Sequence, residues 1–190
     1  FEKGAAKVFA STPEMISYFE KRLGVPFPWQ KYDQIVVRDF VSGAMENTTA
    51  SIFMEELLLD EREALDSEWD YIIAHELFHQ WFGDLVTAES WSNLTLNEAF
   101  ANYSEYLWNE KRYGQDQADL KLVVEKEGYL AEADAEPKEL IRFNYADAED
   151  LFDAHSYNKG GLVLHMLRRE LGDAAFFIGL NLYLTQHAFQ

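Results

Sequence analysis

The segment Trp69–Phe82 has the sequence WDYIIAHELFHQWF. It lacks glycine and proline and is apolar at most positions, which is typical of a helix that is buried on nearly all sides. His75, Glu76 and His79 interrupt this apolar background on one face, because residues three and four apart are neighbours on a helix. Burying these groups without partners would cost roughly several kcal/mol. The pattern therefore predicts that a binding partner satisfies them.

A divalent metal is the partner that this spacing favours. His75–His79 is an HExxH motif, and one helical turn brings both imidazole rings to the same ion. Neutral imidazole is a good zinc ligand. The alternative is a pair of core histidines with ordinary hydrogen bonds, since a five-residue pattern also arises by chance. The buried setting favours the metal.

A catalytic zinc site needs a third protein ligand, and a second predicted helix, Asn97–Tyr113, offers one. Its Glu98, Asn102 and Glu105 recur at i, i+4 and i+7 and form one polar stripe. Glu98 follows His79 after eighteen intervening residues and is the candidate for the third ligand. The alternative is that Glu98 is a capping or surface residue. Asn102 and Glu105 are both candidates for orienting a zinc-bound imidazole.

The remaining pattern predicts a small sheet followed by helices, which is an α+β arrangement. Two segments rich in β-branched residues, Asp33–Phe40 and Thr48–Met54, are predicted strands. The acidic segment Glu55–Asp70 is expected to be a solvated surface connection. Further helices are predicted from capping residues and glycine stops at Ser11–Gly24, Asp116–Ala133 and Asn158–Leu171, and from Asp173 onward.

Composition limits the class of protein. The chain has 190 residues, of which 48% are hydrophobic, enough for one domain with a packed core. No apolar run reaches about 18 residues, so no membrane span is predicted. The absence of cysteine excludes disulfides, thiolate catalysis and cysteine-ligated zinc without indicating a compartment. Because the chain begins with Phe1 rather than methionine, we expect a piece of a longer protein.

The net charge of −18 bears on partners. Such a surface repels nucleic-acid phosphates, so nucleic acid is not an expected partner. It attracts cationic ligands, among them the protonated amino end of a peptide, although solubility alone is the more common reason for such a charge.

Four motifs in order make the chain resemble the aminopeptidase N family of gluzincin zinc peptidases over roughly residues 8–187. HExxH, a gap of eighteen residues and Glu98 form the first match. Gly43–Asn47, GAMEN, matches the exopeptidase motif of that family. Tyr157–Gly160 resembles its catalytic tyrosine segment, with Asn158 where the family usually has glutamate. The extended segment HELFHQWFGDLVT also resembles the family, with Asp84 where asparagine is common.

The resemblance implies a thermolysin-like zincin catalytic domain that occupies residues 1–190 as a single domain of a longer multidomain aminopeptidase. One zinc ion per chain is expected, with His75, His79 and Glu98 as ligands. The expected substrates are peptides with a free N-terminus, and the other domains of the parent chain are expected partners. In this family the preceding domain supplies part of the amine-binding site.

The resemblance also implies roles for individual residues. Glu76 is expected to be the general base acting on a zinc-activated water, and Tyr157 to stabilise the oxyanion. Glu46 is expected to pair with the substrate ammonium. The substrate-binding segment consists of Gly43, Ala44, Met45, Glu46 and Asn47.

Several alternatives stay open at this point. Tyr157 could be a core tyrosine, and GAMEN could be a turn between two strands. A related epoxide hydrolase would use the same zinc ligands, and an isolated fragment could bind zinc without turnover. His155, His165 and His187 have no mutual ligand spacing and are interpreted as structural or surface residues.

Overall fold

The computed structural model describes residues 2–190, which form a three-stranded sheet and seven α-helices, with short 3₁₀ and π turns between them. The predicted α+β order is therefore present. The strands are β1 (Asp33–Val36), β2 (Ala44–Met45) and β3 (Ala50–Phe53). The helices are α1 (Glu2–Val8), α2 (Thr12–Leu23), α3 (Asp70–Phe78), α4 (Thr95–Arg112), α5 (Gln115–Ala135), α6 (Gly160–Leu171) and α7 (Asp173–His187).

The sheet has the order β1-β3-β2, with β1 parallel and β2 antiparallel to β3. Both predicted strands were too long. Asp39 and Thr49 lie within the two predicted strands but adopt a left-handed backbone, with φ 53° and φ 67°, which is incompatible with a continuous strand. The two-residue strand β2 was not predicted, because a strand this short has no periodicity. It lies within GAMEN at one edge of the sheet.

Helix α3 lies in the hydrophobic core, where Ile73, Ala74 and Leu77 are fully buried. It ends at Phe78, four residues before the predicted end. Beyond Phe78 the backbone tightens into i→i+3 hydrogen bonds, such as Trp81 N to Phe78 O at 3.0 Å. These bonds let Trp81 pack into the core while the chain turns back toward the sheet.

Helix α4 packs directly on α3 and is buried along most of its length. The Ser104 hydroxyl donates a hydrogen bond of 3.1 Å to the Ala74 carbonyl and joins the two helices. This packing places the polar stripe of α4 opposite the polar face of α3.

Two more predictions are corrected. The segment Glu55–Asp70 is not fully solvated, because it contains two 3₁₀ turns and buries Leu57 completely. The predicted helix Asn158–Leu171 is α-helical only from Gly160, since the π turn His155–Lys159 precedes it.

Among residues 2–190, no helix combines the length and the apolar composition needed to cross a bilayer.

Candidate metal centre

The side chains of His75, His79 and Glu98 converge between α3 and α4. Glu98 Oε2 lies 3.3 Å from His75 Nε2 and 3.4 Å from His79 Nε2. The candidate ligand atoms of all three residues lie within 4.8 Å of one another. The helical spacing of the histidines and the packing of α4 on α3 together produce this arrangement.

The hydrogen bonds of the two rings test whether a metal fits here. His75 Nδ1 is 2.8 Å from Glu105 Oε1, and His79 Nδ1 is 2.9 Å from the Phe82 carbonyl oxygen. Both partners are acceptors, so each neutral ring carries its hydrogen on Nδ1 and directs the lone pair of Nε2 toward Glu98. Two lone pairs and a carboxylate need added protons or a cation between them. Two imidazoles and a carboxylate are a donor set that fits zinc.

The pKa values reflect the same crowding of acceptors. Burial lowers the pKa of His75, but hydrogen bonds to Glu105 and Glu98 outweigh burial and raise it well above its usual value. Burial also lowers the pKa of His79, but the Glu98 carboxylate raises it to about 9. Burial raises the pKa of Glu98, yet His79 and His75 hold it far below its usual range. Without a metal, the two rings would hold extra protons at this point.

Of the two stripe residues that the sequence left open, Glu105 contacts a candidate ligand. Its Oε1 accepts a hydrogen bond from His75 Nδ1, and its Oε2 forms an ion pair with Lys121 Nζ at 2.8 Å. Asn102 instead donates to Glu125 Oε1 at 2.8 Å. Lys121 and Glu125 lie on α5, and neither was predicted from the sequence. Their i, i+4 spacing was the available signal, but such pairs are common on solvated helices.

Glu76 is buried next to these ligands but is not one of the three converging groups. Its Oε2 atom has no hydrogen-bond partner among residues 2–190. Burial raises the pKa of Glu76 to about 7, and the nearby histidines oppose that rise only in part. This carboxylate can therefore accept and release a proton near neutral pH.

Glu46 of GAMEN reaches the same place from the edge of the sheet. Candidate ligand atoms of Glu46, Glu76 and His79 lie within 4.8 Å of one another. Gln80 holds this segment in position, because its Nε2 donates to the Glu46 carbonyl at 3.1 Å and its Oε1 accepts from Thr49 N at 2.9 Å. The side chain that follows HExxH thus links α3 to the GAMEN segment.

The other GAMEN residues lie along the edge strand. Met45 and Asn47 are exposed, whereas Gly43 and Ala44 are half-buried. Ala44 pairs with Phe53 on β3. The opposite side of β2 has no strand beside it among residues 2–190. An open strand edge of this kind can pair with an extended peptide.

The Tyr157 ring stacks on His75 with ring centroids 6.0 Å apart and an interplanar angle of 18°. Burial and the Glu98 carboxylate raise the pKa of Tyr157 far above its usual value, so the phenol stays protonated as a hydrogen-bond donor. Asn158 faces away from the ligands, because its side chain donates to the Glu125 carbonyl at 3.1 Å.

Asp84, the other departure from the resembled family, lies beside this site. Its backbone nitrogen donates to the His79 carbonyl at 2.9 Å. Burial raises the pKa of its carboxyl to about 6. Asp84 Oδ2 has no hydrogen-bond partner within residues 2–190.

The remaining histidines lie apart from the candidate ligands. His155 is buried near Glu132 and Asp153, but both ring nitrogens are engaged, Nδ1 with Glu132 at 2.7 Å and Nε2 with the Lys138 backbone nitrogen at 3.1 Å. That group is therefore a structural cluster. His165 contacts the Tyr103 hydroxyl. The aromatic residues around the site are buried in the core: Phe78, Trp81, Phe82 and Tyr103.

Comparison with known proteins gives the family. The sequence profile of the peptidase family M1 domain matches residues 8–190. The chain belongs to peptidase family M1. Aminopeptidase N from Homo sapiens is 39% identical over 192 residues, covering 94% of this chain and 20% of that protein. Aminopeptidase M1 from Arabidopsis thaliana is 36% identical over 194 residues, covering 98% of this chain and 22% of that protein.

Solved M1 structures share the fold. The M1 zinc metallopeptidase from Deinococcus radiodurans superposes with a TM-score of 0.72 at 29% identity, over 94% of this chain and 37% of the other. Yeast LTA4 hydrolase in complex with bestatin superposes with a TM-score of 0.82 at 26% identity, over 94% and 29% of the two chains. A mutant of the Deinococcus enzyme was solved with a Tyr-Ser-Ala substrate.

The predicted resemblance and the predicted fold class are confirmed by these matches. This chain is an M1 zinc metallopeptidase domain with a His-His-Glu candidate site for one zinc ion. It spans about a fifth of the length of the curated relatives named here.

Proposed function

We propose that this chain is the catalytic unit of a zinc-dependent aminopeptidase that removes the N-terminal residue of peptides. The observation that carries the proposal is the position of Glu46, whose carboxylate lies within 4.8 Å of the Glu76 and His79 ligand atoms. A carboxylate there can pair with the substrate ammonium and hold the first peptide bond over the metal centre. Cleavage would then be limited to one residue from the end.

His75, His79 and Glu98 would hold the zinc ion. Zinc supplies Lewis acidity, which acidifies water and polarises the scissile carbonyl. Glu105 and the Phe82 carbonyl keep the hydrogen of each ring on Nδ1, so that each Nε2 presents its lone pair. These contacts also fix the orientation of both rings.

Glu76 carries the proton in this mechanism. Its Oε2 atom has no protein partner within residues 2–190, so it is free to accept a proton from the attacking water. The same carboxyl then releases the proton to the leaving amine. Because the group is buried, this transfer takes place away from bulk solvent.

Tyr157 donates its phenolic hydrogen to the oxygen of the carbonyl under attack. A donor that is held in place before charge develops is the arrangement that stabilises a transition state. Its stacking on His75 supports this position, since the ring lies beside a candidate zinc ligand.

The segment Gly43–Asn47 would bind the substrate backbone along the free edge of β2. Gly43 lacks a side chain and Ala44 has a small one, which leaves room for an extended peptide to approach. The Tyr-Ser-Ala substrate of the related Deinococcus structure supports a peptide ligand for this chain.

We also propose that the chain is one thermolysin-like domain of a longer protein. The short fraction of each curated relative that it spans supports this organisation. The other domains of the parent would then be its partners and would complete the amine-binding site.

Hydrolysis of matched peptides tests the proposal. A peptide with a free N-terminus should be cleaved after its first residue, and its N-acetylated form should not. Glu46→Gln should raise KM for the free peptide, whereas Glu89→Gln, at an exposed glutamate, should not. Equal rates on both peptides would indicate an endopeptidase and contradict the role of Glu46.

Two rival functions have separate outcomes. Hydrolysis of an epoxide substrate without any peptide cleavage would favour the epoxide hydrolase alternative. Zinc binding without turnover, when a longer parent chain is active in the same assay, would mean that this part alone is inactive.

A further inference from the structure

Tyr157 lies in the π turn His155–Lys159, immediately before α6. The Lys159 nitrogen donates to the Ala154 carbonyl at 2.9 Å, across five residues instead of four. A π turn contains one residue more than an α-helical turn, which rotates the preceding side chains by about 100° relative to the helix that follows. The direction of Tyr157 toward His75 therefore depends on this turn.

The Asp153 side chain caps the turn. Its Oδ1 accepts hydrogen bonds from the backbone nitrogens of His155 at 3.2 Å and Ser156 at 3.0 Å. Its own carbonyl accepts from Tyr157 N at 3.1 Å. One residue thus satisfies three of the amides that begin this helical segment, including that of the tyrosine.

Arg142 holds Asp153 from outside the turn. Its guanidinium pairs with both carboxylate oxygens of Asp153, with Nη2 to Oδ1 at 3.0 Å. The same Nη2 is 3.1 Å from the Leu151 carbonyl and 2.8 Å from Ser156 Oγ. Arg142 comes from the irregular segment between α5 and the turn, where few side chains are buried, yet its own side chain is only 11% exposed.

The geometry of the guanidinium matters here more than its charge. Lys138 Nζ also lies 3.3 Å from Asp153 Oδ2, so a positive charge would remain beside Asp153 without Arg142. An ammonium cannot make the two-pronged contact with the carboxylate and also reach Leu151 and Ser156, which a planar guanidinium does.

We propose that Arg142 is a positioning residue that acts through Asp153 to hold the π turn and thereby aim the Tyr157 hydroxyl at the metal centre. The inference rests on the proposed function for the role of Tyr157. The contacts of Arg142, Asp153 and the turn stand on the structure alone.

Amide hydrogen exchange, measured without substrate, is the first test. Arg142→Gln should speed exchange of the Ser156, Tyr157 and Lys159 amides by at least about 10-fold and leave the amides of α3 unchanged. Arg142→Lys should have nearly the same effect, because lysine keeps the positive charge but cannot make the two-pronged contact with the Asp153 carboxylate. Arg169→Gln, at an exposed arginine of α6, is the control. Unchanged protection of the turn in Arg142→Gln would overturn the proposal.

A double-mutant cycle is the second test. In the zinc-loaded protein, Arg142→Gln should lower kcat about 10- to 100-fold with little change in KM. In a Tyr157→Phe background the same change should cost almost nothing, because the donor it aims is gone. If the kcat losses of the two single variants multiply in the double variant, Arg142 acts independently of Tyr157 and the proposal is overturned.

The two tests separate the inference from the proposed function. If neither this chain nor a longer parent chain shows turnover, the proposed function fails, but the exchange measurement still decides whether Arg142 holds the turn. If Arg142→Gln does not fold, Arg142→Lys carries both measurements.

Discussion

Glu76 and Glu98 are both buried at this site, but their side chains have different surroundings. The buried Oε2 of Glu76 has no hydrogen-bond partner within residues 2–190, and such atoms are uncommon in folded proteins. Glu98 is also buried, but it faces the Nε2 atoms of His75 and His79. The two glutamates therefore differ in their surroundings, which suits one to bind a metal and the other to move a proton.

Glu76→Gln tests this division of roles. Because Glu76 is not among the three converging groups, we expect zinc content to stay at one per chain. Without a proton acceptor, kcat should fall about 10²- to 10⁴-fold. Metal analysis and initial rates check both outcomes, with Glu89→Gln as a surface control. Turnover within a few-fold of the unaltered protein, at full zinc occupancy, would exclude Glu76 as the base.

Glu105→Gln tests the contact behind His75. Glutamine can still accept from His75 Nδ1, but it lacks the negative charge that balances Lys121 and strengthens the ring as a ligand. We expect the Kd for zinc to rise about 10- to 100-fold, measured by competition with a coloured chelator. Glu127→Gln, at an exposed position of α5, should leave the Kd unchanged. An unaltered Kd in a folded Glu105→Gln protein would speak against this role.

At the scale of elements, the site requires close approach of α4 and α6. A Cβ added at Gly160 would lie 2.5 Å from Ala99 Cβ and 2.8 Å from Thr95 Oγ1. Gly160 therefore lets the end of the π turn lie directly against α4, on which Glu98 is the residue before Ala99. A larger side chain at Gly160 would collide with Ala99 and Thr95 on α4.

Gly160→Ala should consequently destabilise the protein by about 1–3 kcal/mol through overpacking. Gly179→Ala is the matched control, since a Cβ at Gly179 in α7 meets nothing within 4 Å. At Gly179, alanine should raise the free energy of unfolding by about 0.5–1 kcal/mol, because it reduces the conformational freedom of the unfolded chain. Urea denaturation measures both free energies of unfolding. Equal effects of the two changes would contradict the close packing of α6 on α4.

At the scale of the whole molecule, metal binding and folding are linked through protons. The pKa of His79 is raised to about 9, and that of His75 is also raised. Both rings bind protons more tightly in the folded state than in the unfolded state, where the value is about 6.5. Their contribution to stability is therefore complete below about pH 6.5 and is lost as the pH rises through the folded values. Charging the buried Glu76, whose pKa is about 7, acts in the same direction.

The metal-free protein should therefore lose stability as the pH rises from about 6.5 to about 9. Zinc takes the place of the protons on the rings, so the Tm gained on adding zinc should increase over the same range. Calorimetry in excess chelator and in excess zinc measures both trends. A constant or rising Tm of the chelated protein across this range would show that the rings do not hold these protons.

The metal-binding helix and the order of elements could be predicted because they depend on local properties. A spacing of four residues places His75 and His79 on one helical face whatever surrounds them. Glycine likewise marks the C-terminal ends of α2 and α6, at Gly24 and Gly172. The motif spacing also indicated Glu98 before any packing was known.

Other features depend on which faces meet, and that is decided by packing between distant segments. The rotation of α4 against α3 brings Glu105, rather than Asn102, to His75, although both belong to one stripe. Lys121 joins the site because α5 packs on α4, and Arg142 reaches the π turn through contacts with Asp153. Sequence spacing defines the side chains that share a face, whereas non-local hydrogen bonds and helix packing determine what that face contacts.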